Sequence, residues 1–229
     1  MRARYLTRSI LASVALLAFG GVANAAALFQ NPDPITSTPG NVDAWTINFG
    51  FVVSDSFNLS SNSNLSSVDF VVWNFPGDHT SAVDWTISSG VGGTGTIFGS
   101  GLAASVTDVS FGPANTYGYD LNLDTFSLGG LNLASGTYWL SLQNAVVASG
   151  SPVFWDQGGG SSQAWESADL YLTAANGCGD TGKVTNGSCA ETFRINGTAG
   201  AVPEPITLSL FGAGLAGAAL ARRRKARAA

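Results

Sequence analysis

Through most of this chain apolar residues recur at every second position, in short runs separated by clusters of Gly, Pro, Asn, Asp and Ser. A period of two is the signature of a half-buried strand, whereas a helix repeats its apolar positions every three or four residues. Trp45, Ile47, Phe49, Phe51 and Val53 fall on one face, with only Val52 breaking the pattern. Val83, Trp85 and Ile87 repeat the arrangement, as do Tyr138, Leu140 and Leu142, then Phe193 and Ile195. Tyr117, Tyr119, Leu121 and Leu123 oppose Asp120, Asn122 and Asp124, which places those three polar residues on a wet face. The apolar phase then shifts to Phe126 and Leu128, which predicts a bulge near Asp124 or Thr125. Val68 to Phe75 is apolar on both faces and reads as a central, covered strand.

The intervening punctuation is strong. Phe75-Pro76-Gly77-Asp78, Ser89-Gly90, Gly129-Gly130, Ser135-Gly136 and Gly158-Gly159-Gly160 are turn sequences. About ten short strands at this spacing predict an all-β protein with an antiparallel, jelly-roll-like β-sandwich.

The chain has 229 residues and a formal net charge of −5. That charge is segregated. Residues 1–25 carry Arg2, Arg4 and Arg8 and no acid, and residues 202–229 carry five basic residues and only Glu204. Residues 26–201 hold twelve Asp and two Glu against Lys183 and Arg194. So acidic a middle excludes electrostatic binding of nucleic acid, which requires clustered Lys and Arg. Neutral glycans, divalent cations and basic partners remain compatible.

The basic start leads into an apolar run, Ile10 to Phe19, and then into Ala23-Asn24-Ala25. This is the layout of a signal-peptide helix with an A-x-A cleavage site, so residues 1–25 are expected to be removed by signal peptidase after Ala25. At the other end Val202-Pro203-Glu204-Pro205 precedes sixteen uncharged residues, Ile206 to Ala221, and the basic Arg222-Arg223-Arg224-Lys225. As a helix the apolar part would span roughly 24 Å, a short transmembrane helix whose basic end stays cytoplasmic. Both basic ends then lie on the cytoplasmic side of the inner membrane and the acidic middle on the other side. The expected domains are a signal peptide at 1–25, a β-sandwich passenger at 26–200 and a sorting segment at 201–229.

The sequence Val202-Pro203-Glu204-Pro205, followed by a short hydrophobic stretch and an Arg-rich end, resembles the PEP-CTERM sorting signal of Gram-negative bacteria. The resemblance implies cleavage by exosortase near Pro203-Glu204-Pro205. It also implies a setting of exopolysaccharide and biofilm, with the mature protein at the cell surface or outside the cell. Phe75-Pro76-Gly77-Asp78, Tyr117-Gly118-Tyr119-Asp120 and the segment Gly136 to Asn144 resemble stretches of PEP-CTERM surface proteins; that likeness implies no activity.

Candidate sites in the passenger are few. His79 is the only histidine and sits in a turn sequence, where solvation is its ordinary fate; no Gly-x-Ser-x-Gly elbow accompanies it. Gly90-Val91-Gly92-Gly93-Thr94-Gly95 matches a dinucleotide-binding pattern, but the strand-like Thr96-Ile97-Phe98 follows where a helix is required, so it reads as a hairpin loop. Asp120-x-Asn122-x-Asp124 imitates the start of a calcium loop and lacks its glycine. These three are weak calcium candidates, with Asp78, Asp84, Asp156 and Asp180 as further ones, and no other cofactor is implied. Of the six tryptophans, Trp45, Trp73 and Trp85 belong to apolar runs. Trp155 and Trp165 flank the Gly158–Gly160 loop beside Asp156, Gln163 and Glu166, and flat rings beside polar groups suit neutral sugars. Cys178 and Cys189 are the only cysteines, and in an exported chain they are expected to form a disulfide.

The sequence therefore predicts a non-enzymatic exported surface or matrix protein. The alternatives are a glycan-binding module using exposed Trp, and a secreted hydrolase with an Asp-based site.

Overall fold

The computed structural model describes residues 25–31, 43–110, 114–158, 160, 162–167, 170–171 and 189–200. Among them lie fourteen strands: Ala26–Asn31 (β1), Asp43–Thr46 (β2), Val52–Leu59 (β3), Ser63–Asn74 (β4), Ala82–Ser88 (β5), Ile97–Ala103 (β6), Thr107–Ser110 (β7), Asp120–Leu133 (β8), Gly136–Val146 (β9), Phe154–Gly158 (β10), Ala164–Glu166 (β11), Leu170–Tyr171 (β12), Ala190–Glu191 (β13) and Phe193–Ala199 (β14). Every pairing is antiparallel. The only helical element among the described residues is a single 3-10 turn, Val91–Gly93, between β5 and β6.

The strands form two sheets. The first runs β1-β14-β4-β8-β7, and β10 joins β4 next to β14 and carries β2 and β13. The second runs β12-β11-β3-β9-β5-β6. Setting the short additions aside, β1-β14-β4-β8 faces β3-β9-β5-β6, and the chain passes between the two sheets in the order of a jelly roll. The expected all-β antiparallel fold is therefore present.

The inner faces meet in one core. Phe70 and Val72 on β4, Phe126 on β8, Trp155 on β10 and Phe193 and Ile195 on β14 pack against Val53 and Phe57 on β3, Ile87 on β5 and Leu140 and Leu142 on β9. Aromatic pairs cross the gap: Phe57 meets Phe193 edge-on at 6.5 Å, and Trp85 stacks on Phe126 at 6.0 Å. β4 is covered on both faces from Val68 to Asn74, as its largely apolar run predicts, and the cover takes in Asp69 and Asn74.

Three local expectations fail. The run Trp45 to Val53 is not one strand. It breaks between β2 and β3 at a turn in which Phe49 and Gly50 both take positive φ, 55° and 86°, and the Phe51 N–H donates to the Asn48 carbonyl. Phe49 and Phe51 are exposed as a result. Nor is there a bulge at Asp124 or Thr125. The β4–β8 register is continuous from Ser67↔Ser127 to Asn74↔Asp120 and slips only between Leu65 and Ser67. There β8 carries Gly129 and Gly130, whose positive φ values supply the irregularity. Asp124 lies opposite Phe70 and Asn122 opposite Val72, so both point inward with the core rather than to a wet face.

β1 pairs with β14, and Ala26 stands opposite Gly197. The two chain ends therefore leave the sandwich side by side. The expected signal-peptide helix and transmembrane helix fall outside the described residues, apart from Ala25. Among the described residues no helix is long and apolar enough to cross a membrane.

Candidate functional site

At one end of the first sheet the loop after β4 and the approach to β8 build an aromatic surface. Pro76 and Gly77 make the predicted turn: Gly77 has φ 82° and the Asp78 N–H donates to the Phe75 carbonyl at 2.9 Å. Before β8, Asn115 caps its own loop, accepting the Tyr117 and Tyr119 N–H groups on Oδ1 at 3.0 Å each. Asp120 ties the two segments together by accepting the Gly77 N–H at 2.9 Å.

This scaffold lays Tyr117 flat on Trp73, with ring centres 5.5 Å apart and planes within 22°. Tyr119 fills the corner, meeting Phe75 and Phe154 edge-on at 5.2 and 5.4 Å. Trp73 is buried, and its indole N–H donates to Asp156 Oδ1 at 2.6 Å. Asp156 is held in turn by the Thr192 hydroxyl at 2.6 Å. Tyr117 is 61 % exposed and Phe75 39 %. A tyrosine backed by an immobilised tryptophan is a rigid, flat, amphipathic face of the kind on which a neutral sugar ring stacks.

The tryptophans singled out by sequence behave differently. Trp155 is fully buried, wedged edge-on between Phe70 at 6.3 Å and Phe193 at 5.7 Å, and donates to the Thr192 carbonyl. It offers no face to a ligand, so its expected glycan contact is overturned: alternation from Val153 places it on the inner face. Trp165 is half-buried on β11, at the edge of the other sheet, and covers the 3-10 turn. A Cβ on Gly92 would come within 2.7 Å of its ring, so the turn accepts only glycine there. The two tryptophans therefore do not share a site.

The inner faces also bury carboxylates. Asp55 falls in phase with Val53 and Phe57 on β3 and is fully buried. Its Oδ2 accepts the Ser162 hydroxyl at 2.7 Å and the Glu191 N–H at 2.6 Å, while Oδ1 has no partner. Burial pushes its pKa up to about 8. Glu191 is also fully buried. It is bonded through Oε1 to Gln157 Nε2, and its Oε2 is unpartnered. Its pKa is raised well above the carboxylate range, by burial first and then by the charges of Asp55, Asp156 and Asp43.

A second group lies at the β7–β8 edge. Asp124 is fully buried with neither carboxylate oxygen hydrogen-bonded, and its pKa is raised by burial and by Asp108 opposite it. Thr80 lies near enough to relieve it in part without the geometry of a hydrogen bond. The exposed His79 places Nδ1 3.0 Å from Asp108 Oδ2. Asp120, Asn122 and Asp124 share one face of β8, but the first and last stand about 13–14 Å apart along the strand, too far to share an ion.

The Gly90–Gly95 segment is the hairpin loop between β5 and β6, as expected. Among the further calcium candidates, Asp78 accepts the Ser149 hydroxyl and Asp84 accepts Asn144 Nδ2; Asp180 lies outside the described residues. Cys189 is buried and is not a free thiol; its expected partner Cys178 lies outside the described residues. So do Ala23, Val202, Pro203, Glu204, Pro205, Arg222, Arg223, Arg224 and Lys225.

Sequence reasoning passed over Tyr117, Asp55, Asn74 and Asp108 as site residues, and nothing in it singled out Glu191 from the other carboxylates. Asp55 was findable, since it interrupts an apolar alternation; the convergence of the others depends on strand pairing.

Comparison with known proteins adds one finding about sorting. Residues 201–225 match the family model described as the PEP-CTERM protein-sorting motif, and such a motif implies export and processing by exosortase. No curated protein matches the chain.

Proposed function

From the sorting motif at residues 201–225 we propose that this chain is the precursor of an exported, non-enzymatic surface or matrix protein, delivered outside the cell and released from its tail by exosortase. Signal peptidase acts after Ala25, residues 206–221 hold the precursor in the inner membrane, and Arg222 to Lys225 stay cytoplasmic. Cys178 and Cys189 pair once the chain is outside. The mature protein resides in the extracellular polysaccharide of a biofilm or at the cell surface.

The observation that carries this reading is the position of the motif. Gly200 is still pinned to the sandwich, its N–H donating to the Asn62 carbonyl at 2.6 Å, and the motif begins at the next residue. Three residues to Pro203 reach at most about 11 Å, so little chain separates the sandwich from the cleavage motif. The non-enzymatic reading draws support from the carboxylates with strongly raised pKa. Asp55, Asp124 and Glu191 are all fully buried between the sheets, where no polymer substrate reaches them.

Mass spectrometry of the mature C-terminus tests the proposal. Chains ending near Pro203–Pro205 are expected in surface material from cells with exosortase. An intact Arg222–Lys225 end there would reduce the tail to an ordinary anchor.

A second reading rests on Tyr117. The exposed ring stacked on Trp73 gives the passenger a sugar-binding face, and Tyr117→Ala should abolish retention in polysaccharide affinity gels while leaving the thermal midpoint nearly unchanged. Equal retention of variant and wild type would sink it.

A further inference from the structure

We propose that the cavity where β4 begins and β8 and β14 end is a binding site for one neutral sugar residue of a polysaccharide. It has a volume of about 440 Å³, and Asn62, Asn64, Asn132 and Thr198 give it polar walls. Leu133 and Ala134 add an apolar side. The volume is that of a small-ligand pocket. This cavity is separate from the Tyr117 surface and does not depend on the reading given to that ring. Ser63 opens β4 here and Asn74 closes it at the other end, roughly 36 Å along the strand.

Strand pairing sets three of the polar side chains in a row. Thr198 stands opposite Asn64, and Asn64 opposite Asn132, so the three share one face across β14, β4 and β8. Leu65, the next residue of β4, belongs to the core, which puts the row on the outer face of the sheet. Neighbouring strands lie about 4.8 Å apart, so the row covers about 10 Å.

The amides in the cavity are held in fixed orientations. Asn64 Nδ2 donates to the Gly130 carbonyl at 2.8 Å and to Asn132 Oδ1 at 2.9 Å. That leaves Asn64 Oδ1 as an open acceptor and Asn132 Nδ2 as an open donor. Asn62 Oδ1 accepts the Ser135 N–H at 3.2 Å, and the Asn62 carbonyl accepts the Gly200 N–H at 2.6 Å. Asn62 Nδ2 is therefore a second open donor, and the Thr198 hydroxyl can both donate and accept.

These groups select the ligand. Among the described residues no charged side chain lines the cavity. An anion or a cation entering it would lose water and gain no countercharge. A neutral ligand whose polar groups both donate and accept answers two donors, an acceptor and a hydroxyl at once. The hydroxyls of a pyranose do that, while its C–H groups can rest on the apolar side. Because the amides are already fixed by protein hydrogen bonds, little side-chain freedom is lost on binding.

The test is side-chain amide NMR of the full chain in micelles of a sugar-free detergent, titrated with uncharged trisaccharides of glucose, galactose and N-acetylglucosamine. At least one is expected to shift the Asn62, Asn64 and Asn132 signals together, with Kd of about 10⁻³ M, the strength of a few neutral hydrogen bonds. Asn132→Ala should weaken binding about fivefold, with the backbone spectrum confirming the fold. If that variant does not fold, Thr198→Val carries the same expectation. Tyr117→Ala should leave these shifts unchanged, so failure here and failure of the Tyr117 reading are told apart. The proposal is overturned by no shift with any of the three sugars, by equal binding of the charged trigalacturonate or chitotriose, or by binding that survives both Asn132→Ala and Thr198→Val. Shifts lost in Tyr117→Ala would place the ligand at the other end of β4 and overturn it as well.

Discussion

Single residues carry the sharpest expectations. Trp155 fills the interior between Phe70 and Phe193, so Trp155→Ala should cost about 3–5 kcal/mol in urea unfolding. Any loss of ligand binding in that variant would report unfolding and not a lost contact. Asp55 and Glu191 couple stability to pH. Their folded pKa values lie above the unfolded ones, so the protonated forms favour the native state. That contribution is complete below about pH 4, and for Asp55 it is lost as pH rises through about 8. Melting temperature should therefore fall between pH 5 and 8, and Asp55→Asn should flatten the slope over that interval. An unchanged slope would show that Asp55 is ionised in the native protein. Asp55 was legible in the sequence as a carboxyl in step with Val53 and Phe57, whereas nothing local signals that Glu191 lands beside it, because β3 and β13 are remote in the chain.

At the scale of elements, the turn between β2 and β3 stores strain. Phe49 takes φ 55° with an exposed ring, in a position that favours asparagine before glycine. Phe49→Asn should raise stability by about 1 kcal/mol, seen as a higher denaturation midpoint; a lower midpoint would mean the ring is held by contacts that outweigh the strain. On the outer face of the first sheet, Asp69 ties three strands. It accepts Arg194 Nε and Asn196 Nδ2 from β14 at 2.9 and 2.8 Å, and the Thr125 hydroxyl from β8 at 2.8 Å. Asp69→Ala should cost about 1–3 kcal/mol by equilibrium unfolding. A cost under about 0.5 kcal/mol would class the group with solvent-screened surface pairs. Strand identity was largely legible because alternation and Gly-rich turns are local. Facing was less so. Leu121 and Leu123 were assigned inward because they are apolar, yet the pairing of β8 with β4 turns Asn122 and Asp124 in and leaves the leucines under the covered outer face. The phase shift at Phe126 that suggested a bulge was in fact a polar site set within the core face.

For the whole molecule, the jelly roll was foreseeable as a class from the number and spacing of strands, while its strand order depends on long-range pairings that no short window contains. The tail was read from its own residues, because a sorting address is a linear pattern and needs no fold. The side-by-side exit of the two chain ends has a mechanical consequence. Among the described residues β1 is an edge strand paired on one side only, so tension on residue 26 peels it from β14 one rung at a time. β14 is laced between β1 and β4 from Phe193 to Gly197, so tension on whatever is joined beyond residue 200 must slide a doubly bonded strand against both neighbours at once. In a single-molecule pulling experiment, rupture through the C-terminal handle should need more force than through the N-terminal one, with the body of the sandwich as the fixed point in both. Equal forces would contradict this. A domain wired in that way can be stripped at its beginning with little effort and still hold fast to anything tethered at its end.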